Sequence, residues 1–172
     1  FIFIWSCADK EKKISEIVEV DMELQMSNSY KEGYFELQSG DVLLAAKKFN
    51  EAELLFPQSS WAPKAAIMAA YAYYTQNYYG DAIFELERYL VTYPNHKDKV
   101  YAHFLLGMSF YEQISDEKKD LKSILVSKEQ FEIIIRDYPS TEFAGDAKFK
   151  IDLINEILAA KEMYIARYYL KK

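Results

Sequence analysis

The segment FPQSSWAPKA (Phe56–Ala65) carries a pattern that occurs three times in the chain. It returns as YPNHKDKVYA (Tyr93–Ala102) and as YPSTEFAGDA (Tyr138–Ala147). In each copy an aromatic residue precedes proline, and an alanine stands eight residues after the proline. A fixed spacing that recurs along a chain is typical of repeat architectures, so we interpret these segments as the connections between structural repeats.

The residues before these segments indicate the type of repeat. A small residue recurs every 37 positions, at Gly33, Ala70 and Gly107, and an Ala-x-x-x-Phe pattern from Ala45 to Phe49 precedes the first proline. These offsets are those of the tetratricopeptide repeat (TPR), a pair of helices joined by a turn. The prolines follow the second helix of each pair, where they interrupt no helix interior. We therefore predict an all-α TPR solenoid of antiparallel helix pairs, wound as a right-handed superhelix.

The same spacing predicts the domain organisation. A linker at residues 8–26 precedes a TPR domain at 27–172. In the third unit twenty residues separate Gly107 from Ser127, where the first two units have twelve between the equivalent positions, and the charged stretch SDEKKDLK (Ser115–Lys122) would hold the insertion. The predicted units are 27–62, 63–99, 100–144 with an inserted loop near 115–122, and the first helix of a fourth unit from about 145.

Helix boundaries follow from periodicity and from turn residues. In the second unit, Gly80 and Asp81 of NYYGD predict a turn in which glycine ends one helix and aspartate caps the next. The last helix is predicted from about Asp146 to the end of the chain, and the fourth unit then lacks its second helix. Its apolar residues recur at three- and four-residue steps and predict one stripe, formed by Phe149, Leu153, Ile157, Ala160 and Tyr164.

The composition favours a folded helical protein and argues against nucleic-acid binding. Hydrophobic residues make up 51% of the 172 residues and charged residues 28%, with only five glycines and four prolines. A net charge of -6 gives no attraction to phosphate backbones, which are bound largely by Lys and Arg. Fifteen tyrosines against two tryptophans suit a binding surface, because a tyrosine ring can pack while its hydroxyl faces water.

The first seven residues are interpreted as the remnant of a lipoprotein signal peptide. The apolar run FIFIWS ends at Cys7, the single cysteine of the sequence, and the charged segment ADKEKK follows it. This arrangement resembles the site at which cleavage leaves a cysteine for lipid attachment. The alternative is a buried or cloning-derived cysteine. We expect a covalent lipid on Cys7 as the only membrane anchor, and Ala8 in the next position points, by resemblance, to the outer membrane.

The sequence contains no recognisable catalytic or metal-binding motif. The two histidines, His96 and His103, have no acidic or cysteine partner at ligand spacing. The segment GMSF (Gly107–Phe110) lacks the second glycine of a nucleophile elbow, and no phosphate-binding loop occurs. The prediction is a protein that is not an enzyme and that needs no cofactor or metal.

A binding surface is predicted on the first helix of each unit. Side chains one turn before and after the small packing residues would project into a shared groove that suits an extended peptide, with rings for its side chains and hydroxyls for its backbone. The alternative is that they form the core between helices, as aromatic stripes usually do. The predicted groove residues are Tyr30, Tyr34, Ile67, Tyr71, Tyr74, Phe104, Met108 and Tyr111.

Several segments closely resemble the BamD (ComL) family of TPR lipoproteins. They are FPQSSWAPKAAIMAAYAYY, RYLVTYPNHKDKVYAHFLLGMSFYEQ, RDYPSTEFAGDA and LAAKEMYIARYYLKK, and the likeness covers roughly residues 30–172. It extends to the inserted loop of the third unit and to the position of Cys7. Because this family usually has five repeats, the resemblance implies that the chain is C-terminally truncated, without the rest of the fourth repeat and the fifth.

The resemblance also implies a function. Members of this family are non-catalytic scaffolds of the β-barrel assembly (BAM) complex, lipid-anchored at the periplasmic face of the bacterial outer membrane. The implied partners are the periplasmic domain of BamA, other BAM lipoproteins and unfolded outer-membrane β-barrel proteins, whose aromatic-rich targeting peptides are received at the N-terminal repeats. We expect Tyr34, Tyr71, Tyr74 and Tyr111 to contribute to that site. The main BamA surface lies in the later repeats, so only part of it is expected here.

Two other functions stay open at this point. Periplasmic TPR adaptors that coordinate cell division and envelope constriction carry similar Tyr-Pro connections, but a coiled coil generally precedes their repeats, and EKKISEIVEVDMELQMSNS (residues 11–29) is too short for one. A hydrolase with a TPR domain is the second alternative, and the absence of a catalytic motif disfavours it.

Overall fold

The computed structural model describes residues 21–114 and 121–171, and this part of the chain is entirely helical. The all-α prediction is therefore confirmed. The described helices are α1 (Met22–Ser39), α2 (Val42–Leu55), α3 (Ala62–Thr75), α4 (Tyr79–Thr92), α5 (Lys99–Tyr111), α6 (Leu121–Asp137) and α7 (Glu142–Leu170).

The helices pack as successive pairs. Each helix contacts its neighbours in the chain, and α5 also touches α3 and α7. We call α1, α3, α5 and α7 the first helices and α2, α4 and α6 the second helices. Contacts between α3, α5 and α7 bring consecutive first helices side by side, as the predicted TPR arrangement requires.

Glycine and proline set the turns within and between pairs. Gly40 ends α1 with φ of 91°, a left-handed conformation that glycine adopts without strain, and the side chain of Asp41 accepts a hydrogen bond from the backbone N–H of Leu44 at 3.0 Å to start α2. In the first copy of the recurring segment, the Ser59 hydroxyl accepts hydrogen bonds from the N–H groups of Trp61 and Ala62. Pro63 then lies in the first turn of α3, where its missing N–H costs nothing.

The recurring alanines explain why the segment is repeated. Ala65, Ala102 and Ala147 are all fully buried, each in the first helix that follows its proline. Each alanine belongs to a different buried cluster. A methyl side chain lets the incoming helix approach the preceding pair closely, so the spacing from proline to alanine sets how one repeat packs on the next.

The small residues of the first helices pack against rings of the second helices, as predicted. A Cβ atom placed on Gly33 would lie 3.0 Å from the ring of Phe49, and one placed on Gly107 would lie 2.9 Å from the ring of Phe131. Both phenylalanines are fully buried. Ser127 holds the position of the alanine in the earlier units, and its buried hydroxyl donates to the carbonyl of Gly107 at 2.9 Å. The twenty-residue spacing in the third unit therefore identifies the correct packing partners.

Several predicted boundaries differ from the structure. Residues 22–26 belong to α1 rather than to a linker, because the Asp21 side chain caps the helix there by accepting from the N–H groups of Glu23 and Leu24. Leu121 and Lys122 lie in α6 rather than in the inserted loop, and α7 begins at Glu142, earlier than 145. Gly80 and Asp81 lie in the first turn of α4 and do not form a turn and a cap. Residues 1–20, with Cys7, and residues 115–120 lie outside the described part.

The stripe predicted for α7 is wrong. The helix packs with the face that carries Ala147 and Ile154, both fully buried, and Phe143, Ile151 and Leu158 lie partly buried on the same cluster. Of the predicted stripe, only Ile157 packs on this cluster. Phe149 is 62% exposed, and Ala160 and Tyr164 are also exposed. Periodicity detects apolar residues on both faces of this helix, and contact with α5 and α6 determines which face is buried.

Candidate functional site

The predicted groove residues lie on α1, α3 and α5 in rows set by the 37-residue repeat. Tyr30, Ile67 and Phe104 form one row, and Tyr34, Tyr71 and Met108 form the next. Ile67 is only 6% exposed and belongs to the core cluster of α3, α4 and α5, so its assignment to the groove is wrong. The helix turns that follow it carry Tyr71 and Tyr74, which pack on the edge of that cluster and stay partly exposed.

At the N-terminal end, α1 and Trp61 enclose an apolar cavity of about 580 Å³. The ring of Tyr30 stands edge-on to those of Phe49 and Trp61, at centroid distances of 5.2 and 5.3 Å. Tyr34 is half exposed at the side of the cavity. The ammonium of Lys64 lies 4.5 Å from the centre of the Trp61 ring. The cavity is lined by Glu23, Met26, Ser27, Tyr30, Lys31, Tyr34, Phe35, Gln38 and Trp61.

At the C-terminal end, the predicted residues of α5 contribute mainly to packing. The ring centroid of Phe104 lies 5.9 Å from that of Phe131 and 5.3 Å from that of Phe143. Phe104 and Met108 both pack on the core cluster formed by α5, α6 and α7. Both side chains remain partly exposed. The ammonium of Lys150, from α7, lies 4.2 Å from the centre of the Tyr111 ring. Phe104 and Met108 therefore contribute mainly to the core, and only part of each side chain is exposed at the surface.

Four aromatic residues were not among the predicted groove residues. Trp61 and Phe35 line the α1 cavity, Tyr101 packs partly buried on α5, and Phe149 is exposed on α7. The repeat register could have found Phe149, which lies 45 residues after Phe104, one repeat plus the eight inserted residues. Tyr101 lies 37 residues after Lys64, which is not a groove residue, so the register gave no signal for it. Trp61 and Phe35 had no such signal, because the cavity depends on how the connection folds against α1.

The hydroxyls of Tyr30 and Tyr101 are neutral at physiological pH. Burial raises the pKa of Tyr30, and the neighbouring Tyr34 raises it further. Burial is also the main cause that raises the pKa of Tyr101 to about 12. A neutral phenol both donates and accepts a hydrogen bond, so these groups can pair with the N–H and C=O groups of a peptide backbone. The surface thus combines half-buried rings with hydroxyls that a backbone can use.

The opposite side of the first two pairs holds a buried charge network between α2 and α4. The Arg88 guanidinium donates to both oxygens of Glu53, at 2.8 and 2.6 Å, and to Glu85 at 2.9 Å. Tyr93 donates to Glu53 at 2.7 Å, and Asn50 donates to Glu85 at 2.9 Å. The hydrogen bonds that Arg88 donates to Glu53, opposed in part by burial, raise the pKa of Arg88, so its positive charge is permanent. This network links the second helices of the first two repeats.

The two histidines do not form a joint site. His96 is in hydrogen-bond contact with the Tyr89 hydroxyl at 2.9 Å, and His103 with the Gln130 side chain at 2.8 Å, on a different helix pair. Within residues 21–114 and 121–171, no group of three or more His, Cys, Asp or Glu side chains is placed to hold a metal ion. The same part of the chain contains no helix with the length and hydrophobicity needed to span a bilayer.

Comparison with known families decides the identity of this repeat array. The family model YfiO, described as an outer membrane lipoprotein, matches residues 22–172. The chain belongs to the YfiO family. Relatives of this YfiO-family chain carry the name outer membrane protein assembly factor BamD, which confirms the resemblance to the BamD family.

Three such relatives come from different bacteria. The protein of Caulobacter vibrioides is 35% identical over 96% of this chain, and that of Rickettsia prowazekii is 35% identical over 88%. The protein of Neisseria gonorrhoeae is 27% identical over 96% of this chain. The matched regions cover 53%, 61% and 63% of these three relatives, so the chain spans a little more than half of their length. The family is described as an outer membrane lipoprotein and the relatives are named as outer membrane protein assembly factors, and none of these names denotes an enzyme.

Proposed function

We propose that this chain is a non-catalytic scaffold in the assembly of outer-membrane proteins and that its first helices bind extended segments of unfolded β-barrel proteins. The observation that carries the proposal is the row of partly exposed rings on α1, α3 and α5, which begins at the α1 cavity and continues through Tyr71 and Tyr74 to Tyr111. The names of the relatives support the process, and the row suggests how this part of the chain takes part in it.

The shape and chemistry of the row suit an extended peptide. Side chains of an extended strand alternate, so every second residue of a bound segment can face the first helices. A cavity of about 580 Å³ lined by Tyr30, Tyr34 and Trp61 has room for a large apolar side chain. Phenol hydroxyls along the row can pair with backbone groups that would otherwise lose their hydrogen bonds to water. Unfolded β-barrel segments rich in aromatic residues have the chemistry that this surface recognises.

The remaining parts of the proposal concern anchoring and partners. A lipid on Cys7 would hold the chain at the periplasmic face of the outer membrane and serve as its only membrane attachment. The periplasmic domain of BamA and the other BAM lipoproteins are the proposed protein partners. These assignments rest on the family resemblance and on the names of the relatives, whose length this chain covers in part.

Paired substitution of Tyr71 and Tyr74 tests the peptide site. We expect Tyr71→Ala with Tyr74→Ala to weaken binding of a labelled, aromatic-rich C-terminal peptide of a β-barrel protein by roughly tenfold or more, because each buried ring contact contributes on the order of 1 kcal/mol. Fluorescence anisotropy measures the affinity, and circular dichroism verifies the fold. The matched control is Tyr169→Ala, which removes a tyrosine that is 70% exposed near the end of α7. Unchanged folding with unchanged peptide affinity would exclude the assignment.

Capture from a detergent extract of outer membranes tests the partners. We expect the immobilised chain to retain BamA, or other BAM lipoproteins, and unfolded β-barrel proteins. Recovery of cell-division proteins in the absence of BamA would contradict the proposal and favour an envelope-constriction adaptor.

A further inference from the structure

Tyrosines from three helices lie close together in the middle of the first-helix surface, and the carboxylate of Glu112 acts on two of them. Tyr74 at the end of α3 and Tyr79 at the start of α4 are in ring contact, with centroids 5.7 Å apart and planes inclined by 59°. Tyr71, Tyr74 and Tyr101 pack on the same core cluster and remain partly exposed. Glu112 follows α5 directly and is exposed. The inclined rings form a corner rather than a flat stack, and both side chains stay partly exposed. The Tyr79 hydroxyl donates a hydrogen bond to the Asn77 side chain at 2.7 Å.

Helix packing brings these groups into one neighbourhood, because α3 contacts α5 and Glu112 directly follows Tyr111, which lies 37 residues after Tyr74. Burial raises the pKa of both Tyr74 and Tyr79, and the charge of Glu112 makes the second-largest contribution in the same direction. The pKa of Tyr101 is raised to about 12, mainly by burial and to a smaller extent by Tyr71 and Tyr74. The carboxylate therefore acts on rings from two different helices, and the α5 tyrosine lies within range of the α3 pair. The raised pKa values keep the phenols of Tyr74, Tyr79 and Tyr101 protonated beside this carboxylate.

Such a cluster is complementary to a cation. The face of an aromatic ring attracts positive charge, and a carboxylate beside the rings adds a full negative charge. Aromatic rings on either side already hold cations of the chain itself, since Lys64 lies over Trp61 and Lys150 over Tyr111. The net charge of -6 adds a long-range attraction for basic segments. A ring paired with an ammonium group thus occurs at both ends of the surface, and the central cluster offers rings together with a carboxylate.

We propose that this cluster is a subsite for the basic side chain of a bound peptide, with arginine preferred to lysine because a planar guanidinium stacks on rings and pairs with a carboxylate at once. The inference deepens the proposed peptide binding and rests on it. It adds a charge requirement to a surface that is otherwise proposed to bind through apolar contacts and hydrogen bonds. The residues of the subsite are Tyr71, Tyr74, Tyr79, Tyr101 and Glu112.

Matched peptides separate this inference from the proposed function. The probes are twelve-residue peptides, acetylated and amidated, with tyrosine at alternate positions and one arginine moved in turn through the intervening positions. Each has a partner in which citrulline, neutral and almost the same shape, replaces the arginine. We expect the best arginine peptide to bind roughly five- to thirtyfold more tightly than its citrulline partner, as cation–π contact and one exposed ion pair together allow.

Variants of the chain locate the effect. Glu112→Gln and Tyr74→Leu should each reduce the ratio of the two affinities at least threefold, while Glu87→Gln, an exposed carboxylate on α4, should preserve it. Circular dichroism verifies that each variant is folded. Equal binding of arginine and citrulline peptides, or a ratio that survives both substitutions, would overturn the subsite and leave the proposed function standing. Binding of neither peptide would remove the proposed function and the subsite with it.

Discussion

The two sides of the first two repeats use polar groups in opposite ways. Between α2 and α4, every carboxylate oxygen of Glu53 and Glu85 accepts a hydrogen bond from Arg88, Tyr93 or Asn50. On the first helices, a row of tyrosine rings is only partly covered. We call it the tyrosine row, and its members are Tyr30, Tyr34, Tyr71, Tyr74 and Tyr111. The carboxylates on the second-helix side are hydrogen-bonded within the protein, whereas the tyrosines on the first-helix side remain partly exposed. We therefore expect stability and the proposed peptide recognition to depend on different residues of the same repeats.

The difference follows from burial. Glu53 and Glu85 are 5% and 7% exposed, and a buried carboxylate without a counter-charge costs several kcal/mol, so the folded state requires Arg88. A tyrosine at the surface carries no such requirement, because water satisfies its hydroxyl when no ligand is bound. Substitutions on the two sides should consequently separate into those that unfold the chain and those that only weaken binding.

The largest effect is expected from Arg88→Met. It leaves two buried carboxylates without a cation, and we expect the free energy of unfolding to fall by about 3 kcal/mol. Urea denaturation followed by circular dichroism at pH 7 measures the change. Adding Glu53→Gln and Glu85→Gln to the same variant should recover part of the loss, because the neutral amides need no counter-charge.

Arg136→Met is the matched control for this comparison. Arg136 pairs with Asp137 on an exposed part of α6, where solvent screens the interaction, so its replacement should leave the unfolding free energy nearly unchanged. If Arg88→Met destabilised the chain no more than this control, the network would not be what holds the two repeats in register.

A smaller effect is expected beneath the tyrosine row, where α5 meets α6. Gly107→Ala places a Cβ atom 2.9 Å from the buried Phe131 ring, and overpacking should outweigh the gain in helix propensity, for a net loss of about 1 to 2 kcal/mol. Gly145→Ala meets open space in the first part of α7 and should be neutral or stabilise by up to about 1 kcal/mol. Thermal and urea unfolding of both variants give the sign, and a stabilising Gly107→Ala would refute the close-packing argument.

The smallest effect concerns the pH dependence of stability. Burial, opposed in part by the hydrogen bond with Gln130, lowers the pKa of His103, so the unfolded chain takes up a proton first as the pH falls. His103 therefore stabilises the fold fully above about pH 6.5, and this contribution is lost as the pH falls through the lower folded-state pKa. The unfolding free energies of the natural chain and of His103→Gln, measured from pH 8 to pH 5, should diverge in this direction. Parallel curves would contradict it.

Sequence spacing predicted the repeats and their packing partners, because close packing between helices demands small residues at set intervals. Gly33 against Phe49 and Gly107 against Phe131 follow from that demand, even across the eight inserted residues. Spacing failed where two faces of a helix are both apolar. It placed Ile67 at the surface and assigned α7 a stripe that includes the exposed Phe149. A periodic pattern identifies a face but cannot state which neighbour covers it.

The candidate site shows the same division. Tyr30, Tyr34, Tyr71 and Tyr74 were predicted from their distance to the small residues, and the structure leaves each of them at least partly exposed. Trp61 was recognised only as part of a connection, yet it closes the α1 cavity. The cluster of Tyr79 and Glu112 with the α3 tyrosines joins the ends of three helices. No local pattern marks such a junction.

The sequence by itself determined the repeat type, the register of the helix pairs and the family, because these depend on which residue types recur at which intervals. The tertiary structure alone decided which rings stay exposed, how Arg88 is shared by two buried glutamates, and which tyrosines meet at the junction of α3, α4 and α5. Those features arise where residues far apart in the chain approach one another, and the distances between them depend on the packing of whole helices.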